Sequence, residues 1–209
     1  MSVEDIGDPG ESPSEHEFDY DRTVAISDGV FAIALTLLIL NVGQPTTRGG
    51  FWDRLSEVAP DIGAYALSFA VIGLLWLRHH AFFRDLRRID GRLAFLNLVY
   101  LGIIAFIPFP TSLLADEHGR TFSVVAYAVT LCLSALVTVL IRIHARRADL
   151  VRGVSARESM FRSVSVAVVF GLSIPIAFVD PSAAQWCWVL LFVTGVVGRR
   201  AGPLMRRGA

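Results

Sequence analysis

The chain has 209 residues, 54% of them hydrophobic and 18% charged, with no formal net charge and a mean hydropathy of +0.55. That is too apolar for an ordinary soluble domain. The apolar residues come in blocks whose length suits a bilayer, which takes about 20 per helix.

Residues 1–21 hold eight acids, no arginine or lysine, and Gly7, Pro9, Gly10 and Pro13. This segment reads as a disordered acidic tail. It has neither the basic start nor the cleavage site of a signal peptide. Six apolar blocks follow, at about 23–43, 61–77, 93–114, 122–141, 161–179 and 183–198. Leu, Val, Ile and Phe run round every face of these segments, as membrane helices require. The expectation is an all-α membrane protein of six transmembrane helices, one domain over residues 22–200, followed by a basic tail at 201–209.

Charge orients the spans, because cytoplasmic loops collect basic residues. All 19 basic residues are arginine. Sixteen of them, including Arg22, the 2–3 and 4–5 connections and the C-terminus, fall on one side. Only Arg48, Arg54 and Arg120 fall on the other. Both termini are therefore expected in the cytoplasm, and the arginine-only usage points to the inner membrane of a bacterium. The basic loops read as topology determinants rather than as nucleic-acid or anionic-lipid patches.

The remaining signals are sparse. Trp52, Trp76, Trp186 and Trp188 sit near span ends, where amphipathic rings favour the interface. Pro108 and Pro110 are expected to end the third span, and Pro175 to kink the fifth. Cys132 and Cys187 read as small packing residues. His79 and His80 point about 100° apart on a helix, so they do not share a metal; they are expected to cap the second span. The stretch VTGVVGRR (193–200) faintly echoes a carbonyl ion filter but lacks its aromatic residue and a preceding pore helix. No catalytic constellation, metal site or cofactor is expected.

The first span, RTVAISDGVFAIALTLLILNV, buries an acid, Asp28. Such a residue costs roughly 2.5–3.5 kcal/mol on translocon scales. At helical spacing Ile26, Gly29, Ile33, Thr36 and Leu40 form one stripe, and Asp28 lies off it. Asp28 is expected to turn into the subunit toward Arg22, His79, His80 or Asn97, with Ser27 joining the network and fixing the helix rotation. The alternative is that Asp28 caps a shorter helix starting near Gly29.

These residues resemble the first-helix signature of the lysosomal and endosomal potassium channel family known as transmembrane protein 175. Arg22, Ser27, Asp28, Ala32, Ile33, Thr36, Leu37 and Leu38 match it in register, with Ile26 where the family has Phe. Downstream WLRHHAFF (76–83), Asp90, Leu93, Asn97, Leu98 and PFPTSLL (108–114) are also similar. The resemblance implies a single-repeat bacterial homotetramer whose four first helices line a central pore. It implies a hydrophobic constriction at Ile33, with Thr36, Leu37 and Leu40 lining the pore, and potassium as the permeant ion. Arg22, Ser27, Asp28, His79, His80 and Asn97 would hold the pore helix in place. A proton-coupled secondary transporter using Asp28 is the competing function. It is disfavoured because no two symmetry-related spans carry the Gly/Pro interruptions that such carriers use.

Overall fold

The computed structural model describes residues 20–114, 120–152 and 156–188, and it is helical throughout apart from one isolated bridge. Helix α1 (Tyr20–Leu37) tightens into a 3-10 turn over Leu38–Asn41. Then come α2 (Phe51–Arg84), α3 (Gly91–Phe106), the short α4 (Pro108–Leu113), α5 (Arg120–Arg147) and α6 (Ala156–Val179). Helical turns resume at 181–188. Among the described residues, four segments are long and apolar enough to cross a bilayer: 20–41, 51–84, 91–113 and 120–147. The fifth predicted span corresponds to α6, whose apolar part is Val166–Val179. Most of the sixth span, the VTGVVGRR stretch, residues 1–19 of the acidic tail and the basic tail at 201–209 lie outside the described residues.

Three boundaries differ from the sequence expectation. The helix starts at Tyr20, so Tyr20 and Asp21 belong to it rather than to the tail, and Asp28 is two turns inside it rather than at its cap. Helix α2 has 34 residues, about 51 Å at 1.5 Å per residue, well beyond the ~30 Å hydrocarbon core. Its first turns carry Asp53, Glu57 and Asp61, which strap down the preceding loop. Gly43 N–H donates to Asp61 at 2.8 Å, Thr46 N–H and hydroxyl to Glu57 Oε1 at 3.0 and 2.7 Å, and Thr47 N–H to Glu57 Oε2 at 3.0 Å. His79 and His80 lie inside α2 rather than beyond its end. Lastly, Pro108 does not end the third span. Lacking an N–H, it breaks the helix at Ile107 and restarts it as the first residue of α4.

Helix α1 lies between α2 and α3; α3 packs on α5, α5 on α6, and α4 bridges α2 and α5. The core runs along these seams through Phe31, Leu38, Ile72, Leu93, Ile104 and Tyr127. A buried hydroxyl cluster ties three helices together: Thr111 donates to Ser68 at 2.9 Å, and Ser68 to Tyr127 at 3.2 Å. Two of the four tryptophans are not interface rings. Trp188 is fully buried against Tyr127 and Phe170. Trp76 is described below; Trp52 and Trp186 are exposed. Both cysteines are free and half-buried.

Candidate functional site: the two faces of the first helix

Helix α1 is held at both ends and in the middle. The Tyr20 hydroxyl donates to the Phe83 carbonyl at 2.9 Å, near the end of α2. At the other end Asn41 Nδ2 donates to the Pro108 carbonyl at 2.8 Å, where the break before α4 brings that group within reach. Between these ties runs a buried polar seam. Ser27 donates to the Thr23 carbonyl at 2.8 Å and accepts from Asn97 Nδ2 at 3.0 Å. Asn97 Oδ1 lies 2.8 Å from His79 Nε2. Because the Asn97 amide nitrogen is committed to Ser27, its oxygen is the acceptor and His79 carries the proton on Nε2. The imidazole is stacked on Phe83, with centroids 4.2 Å apart, and on Tyr100, 5.4 Å apart and nearly parallel. All three polar side chains are buried and each is hydrogen-bonded, as a low-dielectric interior demands.

Asp28 belongs to a second, separate contact. Its Oδ1 accepts from Trp76 Nε1 at 2.8 Å and lies 3.9 Å from His80 Nδ1. The indole and imidazole rings sit 5.6 Å apart. Asp28 is half-buried and turned toward α2, so its hydrogen-bond partner is Trp76, a residue the sequence reading assigned to the interface. Asn97 pairs with Ser27 instead, and His79 with Asn97. Arg22 lies on the exposed side of α1. The signal for Trp76 was available in its chemistry: an indole N–H near a membrane segment seeks an acceptor, and Asp28 is the acid within the first span.

The opposite face of α1 is uncovered within the subunit. Ile33 is 60% exposed and Leu40 76%, and Ile26 and Leu37 are exposed as well. Ala25, Gly29, Ala32 and Thr36 fill the same stripe. Buried Ser27, Phe31, Ala34 and Leu38 point the other way. Thr36 donates its hydroxyl proton to the Ile33 carbonyl at 2.9 Å, which leaves the oxygen lone pairs directed away from the helix. The stripe of isoleucine, leucine and one threonine faces outward; the acid and the seam face inward. Among the described residues, no three His, Cys, Asp or Glu side chains converge on a point that would hold a metal.

Outside the spans, Asp90 caps α3 by accepting from the Leu93 N–H at 2.7 Å, and it lies 2.8 Å from His144 Nε2 on α5. Burial pushes its carboxyl up, but the Leu93 N–H, His144 and Arg88 together hold it below its ordinary value.

The family model described as endosomal/lysosomal potassium channel TMEM175 matches residues 22–108, the stretch that carries α1, the polar seam and the α3 break. A potassium channel of Streptomyces collinus is 37% identical over 170 residues, which cover 76% of this chain and 82% of that protein. The chain belongs to the TMEM175 family. The crystal structure of a lysosomal potassium-selective channel TMEM175 homologue from Chamaesiphon minutus superposes with a TM-score of 0.74 at 26% identity. It covers 85% of this chain and 96% of that one. The Bos taurus TMEM175, named an endosomal/lysosomal proton channel, is 36% identical over 98 residues, or 42% of this chain and 20% of its own length. These TMEM175 relatives are ion channels rather than enzymes, and the chain is a membrane protein of that family.

Proposed function

We propose that the protein is a passive, potassium-preferring cation channel, a homotetramer of six-span subunits whose four α1 helices line the pore. The observation that carries this reading is the uncovered stripe of α1. Its apolar side chains remain exposed although the opposite face of the same helix is packed and fully hydrogen-bonded. Four copies placed around an axis would bring the Ile33 side chains together as a constriction, with Thr36, Leu37 and Leu40 along the same path. A ring of branched apolar side chains strips or squeezes the hydration shell of a cation. Potassium gives up water more readily than sodium and is favoured. The Thr36 oxygens, with their protons committed to the helix, would offer lone pairs in partial compensation. Arg22, Ser27, Asp28, His79, His80 and Asn97 would set the rotation of α1 rather than touch the ion. The arginine distribution supports placing both termini in the cytoplasm of a bacterium, with the channel in its plasma membrane.

The test is reconstitution into potassium-loaded liposomes or a planar bilayer, with reversal potential measured in potassium against sodium. Wild type is expected to pass a passive, potassium-biased current. Ile33→Asn is expected to raise the current several-fold and erode the bias. A folded assembly with no current under any gradient would overturn the reading. The Bos taurus relative's name makes protons the second ion to apply. A saturable, proton-coupled flux abolished by Asp28→Asn would favour a carrier built on Asp28 instead.

A further inference from the structure

Helix α1 does not finish as it begins. From Leu38 to Asn41 it winds as a 3-10 turn, closed by the Val42 N–H on the Ile39 carbonyl at 3.1 Å. An α-helix turns its side chains by about 100° per residue and a 3-10 helix by about 120°. The difference accumulates over the four residues after Leu37. In continued α geometry Asn41 would come within about 40° of the Leu37 direction, on the uncovered stripe. In the 3-10 turn it lies about 120° from Leu37, off the stripe, and Leu40 falls in file with Leu37 instead. The exposures agree: Leu40 is 76% exposed and Asn41 is half-buried.

The side chain that the turn carries off the stripe is the one that is tied down. Asn41 Nδ2 donates to the Pro108 carbonyl at 2.8 Å, 67 residues along the chain, and the 3-10 turn packs on α2 and α4. Helix α4 is itself a fixed block. Thr111, one turn after Pro108, donates to Ser68 of α2, which donates to Tyr127 of α5. A 3-10 finish to a helix is common and needs no partner, and a carboxamide at the end of a membrane helix finds water easily. Neither requires a bond to a neighbouring helix. We infer that Asn41 is a positioning residue for the ion path. By holding to Pro108 it keeps the end of α1 in 3-10 geometry, presents Leu40 in line with Leu37, and withdraws its own side chain from the path. The inference rests on the channel reading, in which the α1 stripe lines the pore. Without the tie the turn is free to relax to α geometry, which brings position 41 onto the stripe.

The experiment compares wild type with Asn41→Leu and Asn41→Gln, as full chains, in two measurements. Single-channel conductance and reversal potential are recorded in a planar bilayer, in potassium against sodium. Amide hydrogen exchange over residues 38–42 is followed in detergent, where no current is needed. Asn41→Leu lacks the donor and is expected to exchange about fivefold faster there, the weight of one net hydrogen bond. Its conductance should fall several-fold as a further apolar side chain from each subunit enters the path. Its reversal potential should stay at the wild-type value, because Ile33 is untouched. Asn41→Gln keeps a carboxamide donor and should restore exchange and conductance toward wild type. Faster exchange with wild-type conductance in Asn41→Leu would reveal a structural tie alone and overturn the proposal. So would unchanged exchange in Asn41→Leu, or equal losses in the leucine and glutamine variants. Those failures leave the wild-type current in place; no current from wild type overturns the channel reading and this proposal with it.

Discussion

Phe31 and Ile33 sit two residues apart on one helix and have opposite fates. Phe31 is 1% exposed, wedged beside His79 and Tyr100, while Ile33 lies open on the far side. The buried face also includes Ser27, one end of the polar seam, and the uncovered face holds Ile26, Ile33, Leu37 and Leu40. In a soluble protein the distribution would be reversed, with polar groups outward. Here polarity is spent on fixing the helix to its own subunit, through hydrogen bonds that hold a rotation as well as a position. The apolar face is left uncovered within the subunit. Dispersion and hydrogen bonding do different jobs on the two sides of a single helix.

The comparison is broken most sharply by Phe31→Ala. It should cost about 3–5 kcal/mol of subunit stability, read by unfolding in detergent. Ile33→Ala should stay within about 0.5 kcal/mol of wild type and act on ion flux instead. If the two effects came out equal, the two faces would not be separate in kind. Next in size is Asn97→Leu, which strips Ser27 and His79 of their shared partner. It is expected to cost about 2–3 kcal/mol, with Ile33 intact but potassium bias reduced if the seam sets the helix rotation. Trp76→Phe removes the donor to Asp28. Since that carboxylate is half-exposed and water can replace the indole, a loss of about 1 kcal/mol is expected.

The smallest effect is one of pH and concerns the junction of α3 and α5. The folded Asp90 carboxyl is held below its ordinary 3.8, so its contribution is complete above that value and is lost as the pH falls further, through the folded value. A melting curve taken from pH 6 down to pH 3 should show this loss. Asp90→Ala should remove that part of the acid sensitivity.

Much of the fold was legible because membrane helices are specified by local composition. Length and hydropathy alone place the four spans that the described residues show, whereas Pro108, read as the end of the third span, proved to be a break within it. The outward stripe of α1 was also legible, since helical periodicity decides which side chains share a face. The partners were not. Asp28 meets the indole of Trp76, 48 residues away, and Ser27 meets Asn97, 70 residues away, and no local pattern encodes which helix lies alongside α1. The histidine pair shows the same limit. Periodicity separates His79 from His80 by 100°, but only packing buries one in an aromatic stack and leaves the other beside Asp28.

By itself, then, the sequence determined that this is an apolar helical membrane protein, how its charges are distributed, and which face of the first helix holds Ile33. Tertiary structure decided which polar groups satisfy one another, that Trp188 is core, and that Asn41 meets the carbonyl of Pro108. The division has a physical cause. Helix formation and bilayer partition depend on residues within a few turns of one another. The pairing of buried polar groups depends on which surfaces meet, and that is settled only when the helices pack.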